Sequence, residues 1–447
     1  MNSTEESDCL DPPVPSRTLS SPSAFKISLN LLCQSESSLF LTILINFSTS
    51  AQYYILVTLI PLYFSSEHQF TDLQSGIIFG VFGIVIGISS LYLSSIMHSI
   101  SFKRGLYVSS QLGIVGFYLM LQNNPALSLI SVLFLQSISC SMSWPYAEYG
   151  LKEFSNAKIQ NLTSSCFFMS NYLAGAIIGA MIDTMWISYE DKSIVYNFMS
   201  YVGIGALLVS TICLYFCRDL ENMKPENLDA DGIWKLKRFW RFALLIFLLI
   251  LLRSTSFGHL DATLPKYMTR LQGNNAHFGI MLTIHSCTMM IGLFVFTSLT
   301  YMYSSYTLMI LGALFGTLGS VFVIFSSDVG AFVLFVVFIS IGESIWVPRL
   351  LDYTYSVAPE GKEGIYLAMS NCPFYFGMIL TGTSSGFLLN EYCPDNDNTE
   401  NCSIIWIYVL FSSFIISFLL FIFKRTILGP GHENFDKIFC FKESKKV

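Results

Sequence analysis

The chain carries one hydrophobic pattern twice, in the same orientation. Five short segments of the first copy recur in the same order in the second. The offset drifts only from 206 residues (Ser48 to Ser254) to 200 (Met169 to Met369). The pairs are Ser48-Thr49-Ser50 with Ser254-Thr255-Ser256, Pro61-x-Tyr63 with Pro265-x-Tyr267, Gly76-Ile77 with Gly279-Ile280, Trp144-Pro145 with Trp346-x-Pro348, and Met169-Ser170-Asn171 with Met369-Ser370-Asn371. Each match is weak alone, but five in one order indicate an internal duplication.

The composition indicates that most of the chain lies in lipid. Hydrophobic residues make up 53% and charged residues 12% of the chain, whereas soluble domains carry about 25% charged residues. A bilayer core of about 30 Å requires about 20 apolar residues per helix. An all-α membrane protein is therefore predicted, with twelve helices at 38–64, 74–97, 105–121, 126–149, 162–185, 195–217, 240–265, 276–299, 306–325, 329–352, 363–389 and 403–423.

Six predicted helices lie on each side of a polar segment, which predicts two six-helix bundles related by a parallel repeat. The basic end of that segment, 234–241, is open to two interpretations: a short helix on the membrane surface, or simple anchoring at the interface. The predicted divisions are a disordered N-tail at 1–37, a first bundle at 38–217, a linker at 218–239, a second bundle at 240–424 and a C-tail at 425–447.

The distribution of basic residues predicts the orientation. Of the 24 Lys and Arg residues, only Lys192, Lys266 and Arg270 fall in loops that are outside if the N-terminus is cytoplasmic. Cytoplasmic loops carry the excess of Lys and Arg in membrane proteins. Both termini are therefore predicted to be cytoplasmic, in the plasma membrane or an endomembrane, and the N-tail lacks the apolar stretch of a cleaved signal peptide.

Glu343 and Arg253 lie deep within predicted helices 10 and 7. A charge inside the bilayer costs several kcal/mol unless it faces a partner or a watery cavity. At 1.5 Å per residue, Glu343 lies about 14 Å and Arg253 about 20 Å above the inner ends of their helices. An arginine side chain spans that difference. We predict that the two residues pair across a central cavity, and that Glu343 exchanges Arg253 for a proton or a substrate amine. A static pair that only fixes helix packing is the alternative.

Other embedded polar residues are weaker candidates. Arg349 and Asp352 are three residues apart and can pair on one helix face, whereas His259 and Asp261, two apart, point about 200° apart. The candidates for solute binding are Tyr53, Trp346, Asn371 and Asn171. The candidates for gates are Glu148, Arg349, Asp352, His259 and Asp261. His285 is predicted to be a packing residue, with a part in proton movement as the alternative.

Cys393 and Cys402 differ from the other cysteines because both fall in a predicted outer loop, where an oxidising compartment permits a disulfide. Asn401 lies in an N-glycosylation sequon beside Cys402. No Walker A sequence, dinucleotide fingerprint or metal-binding spacing is present. The sequence therefore predicts no cofactor, no metal site, no nucleic-acid partner and no enzymatic activity. The oligomeric state is left open.

The twelve helices, the 6+6 parallel repeat, the charged middle loop and the cytoplasmic termini together resemble the major facilitator superfamily over residues 38–424. The superfamily's Gly-x-x-x-Asp-Arg-x-Gly-Arg-Arg motif between helices 2 and 3 is reduced here to Lys103-Arg104-Gly105. Its aspartate is absent. The resemblance implies a transporter that works by alternating access, with helices 1, 4, 7 and 10 lining the central cavity.

Within the superfamily, helix 10 resembles the proton-coupled oligopeptide transporters through Gly342-Glu343-x4-Pro348 and Ala358-Pro359, and helix 5 through the aromatic-Asn-Gly segment ending at Gly175. The resemblance implies that Glu343 binds a substrate amino group or takes part in proton coupling. The Glu-x-x-Glu-Arg motif of that branch is missing, because helix 1 reads Ser-Thr-Ser-Ala-Gln-Tyr-Tyr at 48–54.

The sequence thus predicts a secondary transporter of a small polar organic solute in the bilayer. Peptides or amino-acid-like compounds are favoured, and protons are the expected coupling ion. The alternative is a non-transporting regulator or scaffold on the same fold, since Trp144-x-x-x-Glu148-Tyr149 resembles the ion-channel-regulator-like branch.

Overall fold

The computed structural model describes residues 32, 35–96, 100–156, 160–220, 236–300, 303–359, 363–395 and 401–429. Within these residues every regular element is a helix, so the all-α membrane fold is confirmed. The long helices are α1 Ser37–Ser66, α2 Asp72–Ile96, α3 Phe102–Met120, α4 Pro125–Phe154, α5 Gln160–Ser188, α6 Lys192–Phe216, α7 Lys237–Ala262, α8 Phe278–Leu299, α9 Ser305–Phe325, α10 Val329–Val357, α11 Glu363–Ser370 with Cys372–Tyr392, and α12 Ile404–Ile422.

Eleven of these twelve helices are long and apolar enough to cross a membrane by length and composition. The exception is α3, which carries Lys103 and Arg104 in its first turn and Gln111 in its middle. It nevertheless packs along α4 and α6, and Ser109, which faces α4, accepts and donates hydrogen bonds there. Packing against α4 and α6 thus holds α3 in the bundle, although the hydropathy of α3 alone is a weak signal of a membrane-spanning helix.

The two halves of the chain pack in the same way. In the first half α1 lies against α4, α5 and α6, and α3 against α4 and α6. In the second half α7 lies against α10, α11 and α12, and α9 against α10 and α12. The sequence repeat is therefore also a repeat of helix packing.

The predicted helix ends differ from the observed ones where local chemistry intervenes. Helix α7 passes through a π-helical turn, Arg253–Phe257, and is followed by a further helix, Leu264–Gln272. Helix α11 is interrupted at Asn371, two residues before Pro373, whose ring removes a backbone donor. Helices α4 and α10 run on past the predicted 149 and 352.

The tails and most of the linker lie outside the described residues, and with them the predictions made for 1–31, 221–235 and 430–447. Lys237 to Arg241, the end of the proposed surface segment, form the first turn of α7. These residues are therefore part of α7 and form no separate surface helix. The short helix Lys424–Leu428, α13, packs beside them.

The two halves meet along two pairs of helices, α2 with α11 and α5 with α8. We call the end of the molecule that holds the Cys393–Cys402 disulfide the disulfide face, and the opposite end, from which residues 217–236 connect the halves, the linker face. Near the disulfide face Gly76 abuts the Gly382 backbone, and Gly179 abuts Gly279. Helices approach this closely only where side chains are absent. The halves are thus closed together at the disulfide face.

Gly76→Ala is expected to loosen this closed face. A Cβ at position 76 overlaps the Gly382 carbonyl oxygen, a backbone atom that cannot rotate away. Overpacking costs about 1–3 kcal/mol, so amide hydrogen exchange in the disulfide-face turns of α2 and α11 should accelerate about tenfold. Gly205→Ala in α6 is the matched control, because nothing lies within 4 Å of its Cβ position. Equal protection in both variants would contradict the closed packing.

Candidate functional site

Four side chains drawn from both halves indicate an opening between the halves. Tyr53 on α1, Glu148 on α4, Arg253 on α7 and Tyr375 on α11 are surrounded by protein, yet each keeps contact with solvent. A side chain that is surrounded by protein and is still accessible to solvent lines an internal opening. We call this opening the chamber, and we infer that it opens toward the linker face because the halves are closed at the disulfide face.

Arg253 joins two carboxylates within the chamber. Its Nη1 donates to Glu343 Oε1 at 2.8 Å, and its Nη2 donates to Asp261 Oδ2 at 3.2 Å. The three side chains are 13%, 6% and 17% exposed, so all are largely removed from water. We call Arg253, Asp261, Glu343 and the neighbouring His285 the Arg253 cluster. Its Arg253–Glu343 ion pair connects α7 with α10.

The π-helical turn brings Asp261 onto the same face as Arg253. Residues eight apart in a regular helix point about 80° apart, and the one extra residue of a π turn reduces this to about 20°. The turn is closed by Gly258 N–H, which donates to the Arg253 carbonyl at 2.7 Å. Gly258 has no room for a side chain because Thr381 of α11 occupies that position. The turn therefore lets one arginine hold a carboxylate from its own helix and another from α10.

Glu343 has one oxygen bound and one oxygen without a hydrogen-bond partner among the described residues. That second oxygen, Oε2, lies 3.9 Å from His285 Nε2. His285 Nδ1 lies 2.9 Å from Ser340 Oγ, which keeps the ring turned toward Glu343. A carboxyl in this position can accept a proton on the oxygen that Arg253 does not hold.

Aromatic rings form one wall beside the cluster. The Arg253 guanidinium lies 5.8 Å from the centre of the Phe374 ring, within the range of a cation–π contact. Phe374 in turn stacks on Trp346 at 5.7 Å. Trp346, a predicted binding residue, is fully buried behind Phe374. It therefore supports the wall rather than facing the chamber.

The other predicted binding residues lie around the chamber. Tyr53 is half-buried, within electrostatic reach of Arg253 and Asp261. Asn171 is half-buried and lies one helical turn from Gly175. Gly175 packs against Tyr54 of α1 and Ser286 of α8. Asn371 is exposed at the break in α11. The structure thus brings Tyr53 to the Arg253 cluster and sets both asparagines nearer the linker face.

The gate candidates are placed differently from one another. Asp261 belongs to the Arg253 cluster. His259 points away from Asp261, and its Nδ1 lies 2.6 Å from Thr263 Oγ1 within the packing against α11. Arg349 binds Asp352 at 2.6 Å and Thr300 at 2.9 Å, all within the second half. These contacts therefore do not connect the two halves.

An ion-pair network that does connect the halves was missed from the sequence. Asp72, the first residue of α2, accepts from Lys266 Nζ at 3.0 Å and from Arg270 Nη2 at 2.6 Å. Arg270 also donates to the carbonyls of Leu389 and Cys393. Burial lowers the pKa of the Lys266 ammonium, and the Asp72 carboxylate opposes that shift. The available signal was that Lys266 and Arg270 are two of only three basic residues in the predicted outer loops.

A second connection joins α5 to α8. Asp183 Oδ2 lies 3.0 Å from His277 Nδ1, and Asp183 Oδ1 accepts from the Ile280 backbone N–H at 3.1 Å. Cys393 and Cys402 form a disulfide at the same end of the molecule, between α11 and α12. Asn401 beside it is exposed. Both inter-half connections thus lie at the disulfide face.

The first half has an uncharged polar network at the level where the second half carries charge. Gln52 Nε2 donates to Gln136 Oε1 at 2.5 Å and to Ser139 Oγ at 3.0 Å. Ser139 also donates to the Ser109 carbonyl at 2.8 Å. These bonds hold α1, α3 and α4 together without an ion pair. The repeat is therefore structural, while the ionisable chemistry at this depth belongs to the second half.

The chain matches the Major Facilitator Superfamily over residues 42–382. No curated protein shows significant sequence similarity to it. Among solved structures, a POT family transporter in complex with 5-aminolevulinic acid is 14% identical, with a TM-score of 0.71 over 88% of this chain and 96% of that one. The peptide transporter POT in complex with sulfate is 13% identical (TM-score 0.70; 87% and 94% covered). The nucleoside transporter NupG is 14% identical (TM-score 0.66; 87% and 100% covered).

Proposed function

The chain belongs to the Major Facilitator Superfamily, a family of membrane transporters and not of enzymes, and we propose on that premise that it moves a small polar organic solute by proton-coupled alternating access. Peptides and amino-acid-like compounds are the favoured solutes. One of the similar structures is a POT family transporter in complex with 5-aminolevulinic acid, and another is the peptide transporter POT. At such low identity these neighbours support the fold, so the solute class depends on the site.

The observation that carries the proposal is the shared Arg253. One guanidinium lies between Glu343 and Asp261, so the three groups together bear one negative charge. A single proton on Glu343 neutralises the set and frees Arg253 from α10, while Asp261 keeps the arginine on α7. Moving a neutral cluster through the closed state avoids the several kcal/mol that an unpaired charge costs in lipid.

The closed disulfide face supplies the second part of the proposal. Asp72, Lys266 and Arg270 on one side, and Asp183 with His277 on the other, hold the halves together there. With both termini cytoplasmic, the conformation described is open to the cytoplasm. In the opposite conformation these ion pairs separate and the linker-face halves of the helices come together. The chamber then exchanges with the other compartment.

Solute accumulation in proteoliposomes under a pH gradient tests the proposal. We expect a panel of dipeptides and amino acids to contain a solute that enters against its own gradient when the outside is acidic, with acidification of the interior. A protonophore should abolish the accumulation. If no solute in the panel moves in either direction, and none stabilises the purified protein to heat at either of two pH values, the regulator or scaffold alternative gains support.

A further inference from the structure

We propose that the mouth of the chamber is a subsite for an organic cation with an apolar arm, formed by Glu148, Trp144 and Phe168 of the first half and Tyr375 of the second. This inference names the solute class for the transporter proposed above and depends on it for its physiological meaning. The binding of a cation to the subsite stands on its own and can be measured without transport.

The first argument is a solvent-accessible carboxylate without an ion-pair partner. Glu148 is exposed although protein surrounds it. None of the ion pairs between described residues involves it. Lys152, one turn further toward the linker face on the same helix, is exposed. The Glu148 carboxylate is thus accessible to a ligand that arrives from the linker face.

The second argument is the arrangement of rings around that carboxylate. Trp144 precedes Glu148 by four residues, one helical turn, so the two side chains are neighbours on one face of α4. The Trp144 ring centre lies 6.1 Å from that of Phe168 and 5.3 Å from that of Phe167. Tyr375 lies within electrostatic reach of Glu148 from the other half. Aromatic faces beside a carboxylate attract ammonium groups by cation–π and ionic contacts together.

The third argument is the charge of the chamber as a whole. Among the described residues assigned to the chamber, Glu148, Asp261 and Glu343 are three carboxylates and Arg253 is the one guanidinium. Arg253 is already bound to two of the carboxylates. A solute with an uncompensated carboxylate therefore meets a negative chamber with no free arginine, whereas an ammonium meets Glu148 first. The wall of rings favours an apolar arm on the same molecule.

Binding of 2-phenylethylamine to the detergent-purified full chain tests the subsite, with 2-phenylethanol as the neutral analogue and 3-phenylpropanoate as the anion. Tryptophan fluorescence and thermal shift are the readouts. The amine is expected to bind at least about tenfold more tightly than the alcohol, and the anion least tightly. Glu148→Gln should remove the preference for the amine, and Phe168→Leu should weaken amine binding more than alcohol binding.

Glu153→Gln is the matched control, because Glu153 is exposed on the same helix one turn beyond the subsite. Glu148→Gln exchanges an exposed side chain for one of equal size, so its melting temperature should match the wild type and show that the variant is folded. Equal binding of amine and alcohol, no amine binding, or an unchanged preference in Glu148→Gln overturns the subsite. Failure of proton-driven accumulation with the amine preference intact overturns only the transport proposal.

Discussion

The Glu343→Gln protein is expected to exchange labelled solute for unlabelled solute across a proteoliposome membrane, yet to lose accumulation driven by a pH gradient at least about tenfold. Glutamine keeps the shape of the side chain and an acceptor oxygen for Arg253, but it cannot release a proton. The variant therefore resembles a permanently neutral cluster. Such a cluster can reorient with solute bound, although no proton gradient can drive it.

The two transport modes must be compared in one preparation, with counterflow and pH-driven uptake measured on the same vesicles. Glu153→Gln, an exposed residue at the linker end of α4, is the control for removing a glutamate at the membrane surface. It should leave both modes unchanged. Equal loss or equal retention of both modes in Glu343→Gln would contradict a coupling role and favour a static pair.

The Arg253→Met protein is expected to lose about 3–5 kcal/mol of unfolding free energy, the usual cost of removing one partner from a buried ion pair. Glu343 and Asp261 then face each other as largely buried carboxylates without their shared cation. Methionine keeps most of the apolar stem beside Phe374, so lost packing contributes little. Unfolding of the purified protein in mixed SDS micelles measures the change.

The double variant Arg253→Met with Glu343→Gln should recover part of that loss, because only Asp261 then remains unpaired. Arg218→Met is the control. Arg218 is 60% exposed, and its pair with Glu36 at 3.4 Å belongs to the surface class that contributes about 0–1 kcal/mol. If Arg253→Met destabilises no more than Arg218→Met, the Arg253 cluster does not hold α7 and α10 together.

The helix class and the repeat are readable from the sequence because lipid imposes a simple requirement of about 20 apolar residues per helix. The approach of Arg253 to Glu343 followed from helical rise alone, since both residues lie within long runs without interruption. The place of Asp261 did not follow. A π turn contains one extra residue, which changes the direction in which the following side chains point. The amino-acid sequence of residues 253–257 gives no signal for such a turn.

The contacts at the disulfide face also could not be predicted from the sequence. Asp72, Lys266 and Arg270 all lie near helix ends, where charged residues are ordinarily solvated, and the sequence contains no measure of which ends meet. The pairing of Asp183 with His277 could not be predicted for the same reason, because the two residues belong to different halves. Trp346 was a candidate for solute binding because it lies on predicted helix 10, one of the helices expected to line the cavity, but the neighbouring Phe374 stacks on it. The burial of Trp346 behind Phe374 depends on tertiary packing, which the sequence alone does not give.

The uncharged network around Gln52 has an electrical consequence for the proposed cycle. The network that joins Gln52, Gln136 and Ser139 is made of amides and hydroxyls, so the charge that the Arg253 cluster gains or loses travels with α7, α8 and α10. The Arg253 cluster carries zero charge with its proton in place and a single negative charge without it. Membrane voltage therefore acts on this cluster in its unprotonated form, during the return of the empty protein, with about 2.3 kcal/mol per 100 mV for one charge that crosses the whole membrane.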